Sequence, residues 1–163
     1  MTPTRPTLDA LDVIIPVLNG GARLADTLQA LPPVRQVIVV DGGSTDNSPA
    51  LAAAHGARVL PSLPGRGRQL AVGAVAGTAS WLLFLHADTR LDDAAWRAVS
   101  AYIARPGTGA SAAVFRLRLD DPAWQARVVE LGVRLRVAVL SLPYGDQGLL
   151  IHRDLYAAIG GFA

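Results

Sequence analysis

The chain has 163 residues, 51% of them hydrophobic and 17% charged, which suits one folded domain burying roughly 70% of its unfolded surface and argues against disorder. It has no cysteine, so disulfides and thiolate metal sites are excluded, and its net charge is only +2. All 15 basic residues are arginines, but they are scattered, and there are only three each of Trp, Tyr and Phe, so the concentrated basic, aromatic face of a nucleic-acid binder is not expected.

The N-terminal stretch has no basic region followed by a long apolar core, because Asp9 and Asp12 interrupt it, and no apolar run reaches the length of a bilayer span. The expectation is a cytoplasmic protein without a signal peptide or membrane span.

Short apolar runs alternate with helical segments, which predicts an α/β architecture. A first strand is expected over Asp12–Leu18, with Pro16 near its end, where a missing N–H is tolerated. Leu24, Leu28 and Leu31 fall at helical spacing after a glycine pair, and Pro32-Pro33 stops that helix. Val34–Asp41 reads as the second strand. Ser48 as N-cap and Pro49 at the first helical position open a short helix ending near Gly56.

Arg58–Leu60 forms a third strand, followed by a loop over Pro61–Arg68 and a helix of small residues over Gln69–Gly77, whose lack of bulk implies close packing on the sheet. Trp81–Leu85 is the fourth strand, and Asp92–Arg105 a helix with acids in its first turn, ended by Pro106-Gly107. Ala112–Leu119 alternates in part and reads as a strand exposed on one side. A long amphipathic helix over Pro122–Leu142, a short strand within Tyr144–Arg153 and a last helix from Asp154 complete the pattern.

The second and fourth strands each run as four or five apolar residues, the mark of strands buried on both faces, and each leads to an aspartate, Asp41 and Asp88. Open α/β sheets bind ligands beyond the carboxyl ends of their strands. Two acids there suit a polyanion held through a cation, such as a nucleoside diphosphate. Asp46 and Asp92 are read instead as turn or helix-cap residues. There is no GxxxxGK[ST], and the glycine-rich Gly65-Arg66-Gly67 lacks the third glycine of a dinucleotide fingerprint.

Six motifs occur in order: PVLN at Pro16–Asn19, VVDGGSTD at Val39–Asp46, GRGRQ at Gly65–Gln69, FLHAD at Phe84–Asp88, YGDQG at Tyr144–Gly148 and GGF at Gly160–Phe162. Together they resemble the family 2 glycosyltransferases. More narrowly, they resemble the bacterial subgroup found beside radical-SAM and selenium-related genes. The resemblance implies a three-layer nucleotide-diphospho-sugar transferase fold with a mostly parallel central sheet, and a single transferase-like domain over residues 1–163. It implies inverting transfer of a sugar from a nucleotide-diphosphate donor to an acceptor hydroxyl, with lipid-linked and saccharide acceptors as candidates.

By the same resemblance Asp88 would ligate Mg²⁺ or Mn²⁺, ions that take hard oxygen ligands, one or two of them protein carboxylates. Pro16, Asn19 and Asp41 would hold the nucleoside. Arg66, from a mobile loop, and Gln69 would lie along the phosphates. His86, at the first acid position of the usual Asp-x-Asp, is read as a non-ligand.

Three departures stand out. Gly42 follows Asp41 where many relatives carry a second acid, Ala71 replaces a usual asparagine, and relatives continue past Gly160-Gly161-Phe162-Ala163 to a Glu-Asp pair that supplies the base and to a further helix. Asp146 is then the candidate acceptor-side acid or substitute base. A non-catalytic nucleotide-sugar-binding module is the rival expectation. A nucleotidyltransferase is disfavoured because its glycine-rich, lysine-dependent triphosphate site is absent.

Overall fold

The structure, a computed structural model, describes residues 8–115, 124, 131 and 148–162. Its elements run β1 Leu8–Val17, α1 Gly21–Gln29, β2 Val34–Asp41, α2 Ser48–Ala54, β3 Arg58–Pro61, α3 Arg66–Ala76, β4 Trp81–Phe84 and α4 Asp93–Ala104. A 3₁₀ turn at Thr108–Ala110, β5 Ala112–Val114, β6 Leu149–His152 and α5 Arg153–Ala158 follow. The strands form one sheet in the order β3-β2-β1-β4-β6-β5. Among the described residues five of the six strands point the same way, and β6 alone runs against its neighbours β4 and β5.

Alternation along β1 divides the core between two faces. Val13, Ile15 and Val17 pack with Leu24 and Leu28 of α1, Ala52 of α2 and Trp96 and Val99 of α4. Ile14 points the other way, into a cluster with Ile38, Val40, Leu82, Phe84, and Leu70 and Ala74 of α3. Helices therefore cover both faces, which is why β1, β2 and β4 read as unbroken apolar runs. The small residues of α3 serve the close approach expected of them. A Cβ on Gly73 would overlap the Ile14 side chain and crowd Val40.

β1 lies between β2 and β4, and the chain leaves it in one direction through β2 and β3 before α3 carries it back to β4 on the other side. The carboxyl ends of β1 and β4 thus flank a topological switch point, where open α/β sheets form a ligand crevice.

The opposite end of the sheet is locked by a buried acid. Asp12 is inaccessible to solvent; its Oδ2 accepts from the N–H groups of Thr78 (2.6 Å) and Ala79 (2.7 Å), and Arg153 Nη2 stands 3.6 Å away. Arg153 also donates to the carbonyls of Ala79 (2.7 Å) and Ala74 (2.8 Å). A buried carboxylate persists only when paired and hydrogen-bonded in this way. Here it ties the turn entering β4 to the start of α5.

Several boundaries differ from the sequence reading. β1 begins at Leu8, before the expected Asp12, through pairing of Leu8 with Val34. Ser48 is the first residue of α2, and Asn47 takes the N-cap position. α3 begins at Arg66, not Gln69, so Arg66 stands in a helical turn instead of a loop. Asp92 is the N-cap of α4, its Oδ1 accepting from Ala95 N–H at 2.7 Å. The helix expected over 122–142 lies outside the described residues except for Trp124 and Leu131, both helical and exposed. The second half of the strand expected over Ala112–Leu119, and Asp146, also lie outside them. Among the described residues no helix is long and apolar enough to cross a membrane.

Candidate functional site

At the end of β1, Val17 C=O accepts from Gly42 N–H (2.8 Å) and from the buried Gln69 side-chain amide (2.9 Å). The same Gln69 nitrogen donates to Val40 C=O at 2.8 Å, so one side chain of α3 pins the ends of β1 and β2 together. Gly42 is needed beside it, because a Cβ there would stand 3.0 Å from Gln69 Nε2.

The chain then turns at Asn19, whose φ of 54° lies in the left-handed region that asparagine tolerates better than most residues. Asn19 N–H donates to Ser44 Oγ (2.8 Å), and Asn19 Oδ1 accepts from Thr45 N–H (2.8 Å) and Asp46 N–H (3.3 Å). The GGSTD loop after β2 is therefore folded around Asn19.

Asp41 closes that loop from the inside. Its Oδ2 accepts from Gly43 N–H (3.1 Å) and Ser44 N–H (3.1 Å), an arrangement that bends the backbone into a turn. Asp46 joins the loop to α1, with Oδ2 accepting from Gly21 N–H (3.1 Å) and Oδ1 from Ser48 N–H (2.9 Å). Hydrogen bonds from the Ser48 side chain, then from the backbone N–H groups of Ser48 and Gly21, hold the Asp46 carboxyl below its ordinary pKa.

The loop after β4 is built differently. Thr27 Oγ1 donates to Ala87 C=O at 2.9 Å, and Arg90 pairs with Asp26 at 2.8 Å, so α1 holds this loop from one side. Asp88 itself is exposed, and the described residues offer its carboxylate no hydrogen bond or ion pair.

A cleft of about 400 Å³ opens where these segments meet. Of the residues singled out in the sequence, Pro16, Asn19, Arg66, Gln69 and Asp88 line it together. Asp41 is not among its lining residues. The cleft also takes in His86 and Arg23, and Arg23 was missed by the sequence reading. Its signal was its place four residues after Asn19, in the first turn of α1, where a cation opposes the helix dipole. A larger hollow of about 570 Å³ is lined by Leu31, Pro33, Arg35, Val37, His55 and Arg58. It lies against the amino end of β2, away from the switch point, and has no strand-end acid.

Among the described residues no group of three or more His, Asp or Glu side chains could enclose a metal. A carboxylate that the described residues leave unengaged in an open cleft still fits Mg²⁺ or Mn²⁺, since these ions take most of their ligands from substrate phosphate and water.

Residues 12–154 match the family described as Glycosyl transferase family 2. The chain belongs to glycosyltransferase family 2. Within the family it is similar to uncharacterized glycosyltransferases of Mycobacterium bovis and Mycobacterium tuberculosis, at 36% identity over 85 residues. That match spans 52% of this chain and 39% of those relatives.

Two solved structures show the family fold. A mannosyltransferase from Pyrobaculum calidifontis, in complex with GDP-mannose and Mn²⁺, matches with a TM-score of 0.70 and 18% identity over 100% of this chain and 50% of its own. Glucosyl-3-phosphoglycerate synthase from Mycobacterium tuberculosis, in complex with Mn²⁺, UDP and glucosyl-3-phosphoglycerate, matches with a TM-score of 0.64 and 20% identity over 88% of this chain and 57% of its own.

Proposed function

We propose that this family 2 chain binds a nucleoside-diphosphate sugar in the cleft between β1 and β4 and transfers the sugar to an acceptor hydroxyl with inversion. The observation that carries the reading is the unengaged Asp88 carboxylate at the switch point, in one cleft with Arg66. The nucleotide-bound state of the structural neighbours supports it, since one holds UDP and the other GDP-mannose, each with Mn²⁺.

Asp88 would hold the Mg²⁺ or Mn²⁺, which when bound supplies Lewis-acid neutralisation of the diphosphate. Arg66, with five N–H donors in a planar fork, contacts phosphate oxygens. Pro16, Asn19 and Asp41 shape the nucleoside end, and Asp41 keeps acceptor capacity beyond the N–H groups of its own turn. Gln69 sets the positions of the strand ends beneath the phosphates.

In the reaction, the bond from the anomeric carbon to the diphosphate oxygen breaks and its electron pair stays on the diphosphate. The acceptor oxygen bonds to the anomeric carbon from the opposite face, and its proton passes to a carboxylate base, for which Asp146 is our candidate. The motif order also leads us to the subgroup found beside radical-SAM and selenium-related genes, and the location we propose is cytoplasmic.

The test is sugar transfer or donor hydrolysis by the wild type and Asp88→Ala, with UDP- and GDP-sugars and Mn²⁺ or Mg²⁺. Loss of activity in the variant is expected, and equal activity removes Asp88 from the mechanism. Metal-dependent binding of UDP or GDP without any turnover would leave a nucleotide-sugar-binding module instead.

A further inference from the structure

Arg23 has no assigned task, yet three features place its charge in the donor cleft. It shares a helix face with Asp26 and Thr27, three and four residues on. Those two side chains dock α1 onto the loop of Asp88, through Arg90 at 2.8 Å and Ala87 C=O at 2.9 Å. Arg23 sits one turn closer to the helix start and lines the cleft with Asp88 and Arg66.

Among the described residues its charge is also uncompensated. The described residues give Arg23 no hydrogen bond or ion pair, and the neighbouring acid Asp26 is taken by Arg90. The first turn of α1 contains no acidic residue, so the cation faces the positive end of the helix. Such a placement is unfavourable until an anion arrives.

The two cleft arginines belong to helices on opposite faces of the sheet. Arg66 comes from α3, whose Leu70 and Ala74 pack with Ile14, and Arg23 from α1, whose Leu24 and Leu28 pack with Val13 and Ile15. We infer that Arg23 is a second diphosphate-contacting arginine, facing Arg66 across the cleft. This rests on the donor reading above. Negative charge grows on the diphosphate as the sugar departs, so a cation there binds the leaving diphosphate more strongly than the intact donor.

The experiment is calorimetric titration of UDP and GDP, with Mn²⁺ and at two salt concentrations, into the wild type, Arg23→Gln, Arg23→Lys and Arg97→Gln. Arg97 is an exposed arginine on α4 that lines no part of the cleft, so its variant controls for net charge. Arg23→Gln should weaken the tighter-binding diphosphate by about ten- to a hundredfold and reduce the salt dependence, with an unchanged melting temperature. Arg23→Lys should retain part of the affinity, having charge without the planar fork. Arg97→Gln should bind like the wild type.

Equal affinities for the wild type and Arg23→Gln, or an equal loss in Arg97→Gln, would overturn the assignment while leaving the donor reading in place. Failure of the folded wild type to bind either diphosphate would bring down the donor reading and this assignment together.

Discussion

The loops after β2 and β4 arise from the same local pattern, a buried apolar strand leading to an aspartate, and the fold treats the two acids in opposite ways. Asp41 is taken up by the N–H groups of Gly43 and Ser44, in a loop that is itself folded around Asn19. Asp88 is exposed in the cleft and unengaged by the described residues. A carboxylate satisfied by its own backbone builds the site, whereas one left unsatisfied is available to a ligand. The pattern marks the end of the sheet where open α/β folds bind ligands, and the hydrogen-bond partners tell the two acids apart.

The largest effect separating the loops should come from Asp88→Ala. Turnover is expected to fall about 10²–10³-fold, equivalent to about 3–4 kcal/mol of transition-state stabilisation. Chemical denaturation should shift by no more than about 0.5 kcal/mol, because no partner among the described residues is lost. A marked loss of stability would show that Asp88 is structural and erase the contrast with Asp41.

Gln69→Ala tests the scaffold beneath the β2 loop, where β1 and β2 end together. It removes a buried amide that bridges Val17 and Val40, so a loss of about 2–3 kcal/mol in urea unfolding is expected. An unchanged midpoint would mean that the strand ends hold together without it.

Asp41→Asn sharpens the comparison further. The amide oxygen still accepts from the turn, so stability should fall by less than about 1 kcal/mol. On the proposed donor reading an acceptor becomes a donor at the nucleoside end, and affinity for UDP or GDP should drop about tenfold, a readout for titration calorimetry. Full stability with full affinity would make Asp41 a turn residue alone.

Much of this was legible in the residues. The apolar runs at Val37–Val40 and Trp81–Leu85 mark strands buried on both faces, and the motif order brings Pro16, Asn19, Arg66, Gln69 and Asp88 to one cleft. What stayed hidden depends on contacts distant in sequence. Asn19 reaches Ser44, Thr45 and Asp46 across 25 to 27 residues, and Asp12 reaches Thr78 and Ala79 across 66 and 67. No periodicity encodes such pairings. α3 begins earlier than its glycines suggest because Gln69 anchors its first turn to the strand ends, offsetting the weak helix propensity of Gly67. Arg23 escaped notice because it belongs to none of the six motifs, although α1 follows β1 and its first turn therefore meets the carboxyl end of that strand.

The smallest effect is one of pH, and it probes the β2 loop alone. The Asp46 carboxyl lies below its ordinary value of 3.8 in the folded chain, through hydrogen bonds from Ser48 and Gly21. Its contribution to stability is therefore complete above that ordinary value, declines as the pH falls through it, and is gone below the folded value. Asp46→Asn cannot ionise, so the wild type should melt higher than the variant near neutrality, with the gap closing below about pH 4. Melting curves of the wild type and the variant across that acidic range supply the check. A gap for Asp46→Asn that stays constant into strong acid would mean the loop depends on the shape of that side chain instead of its charge.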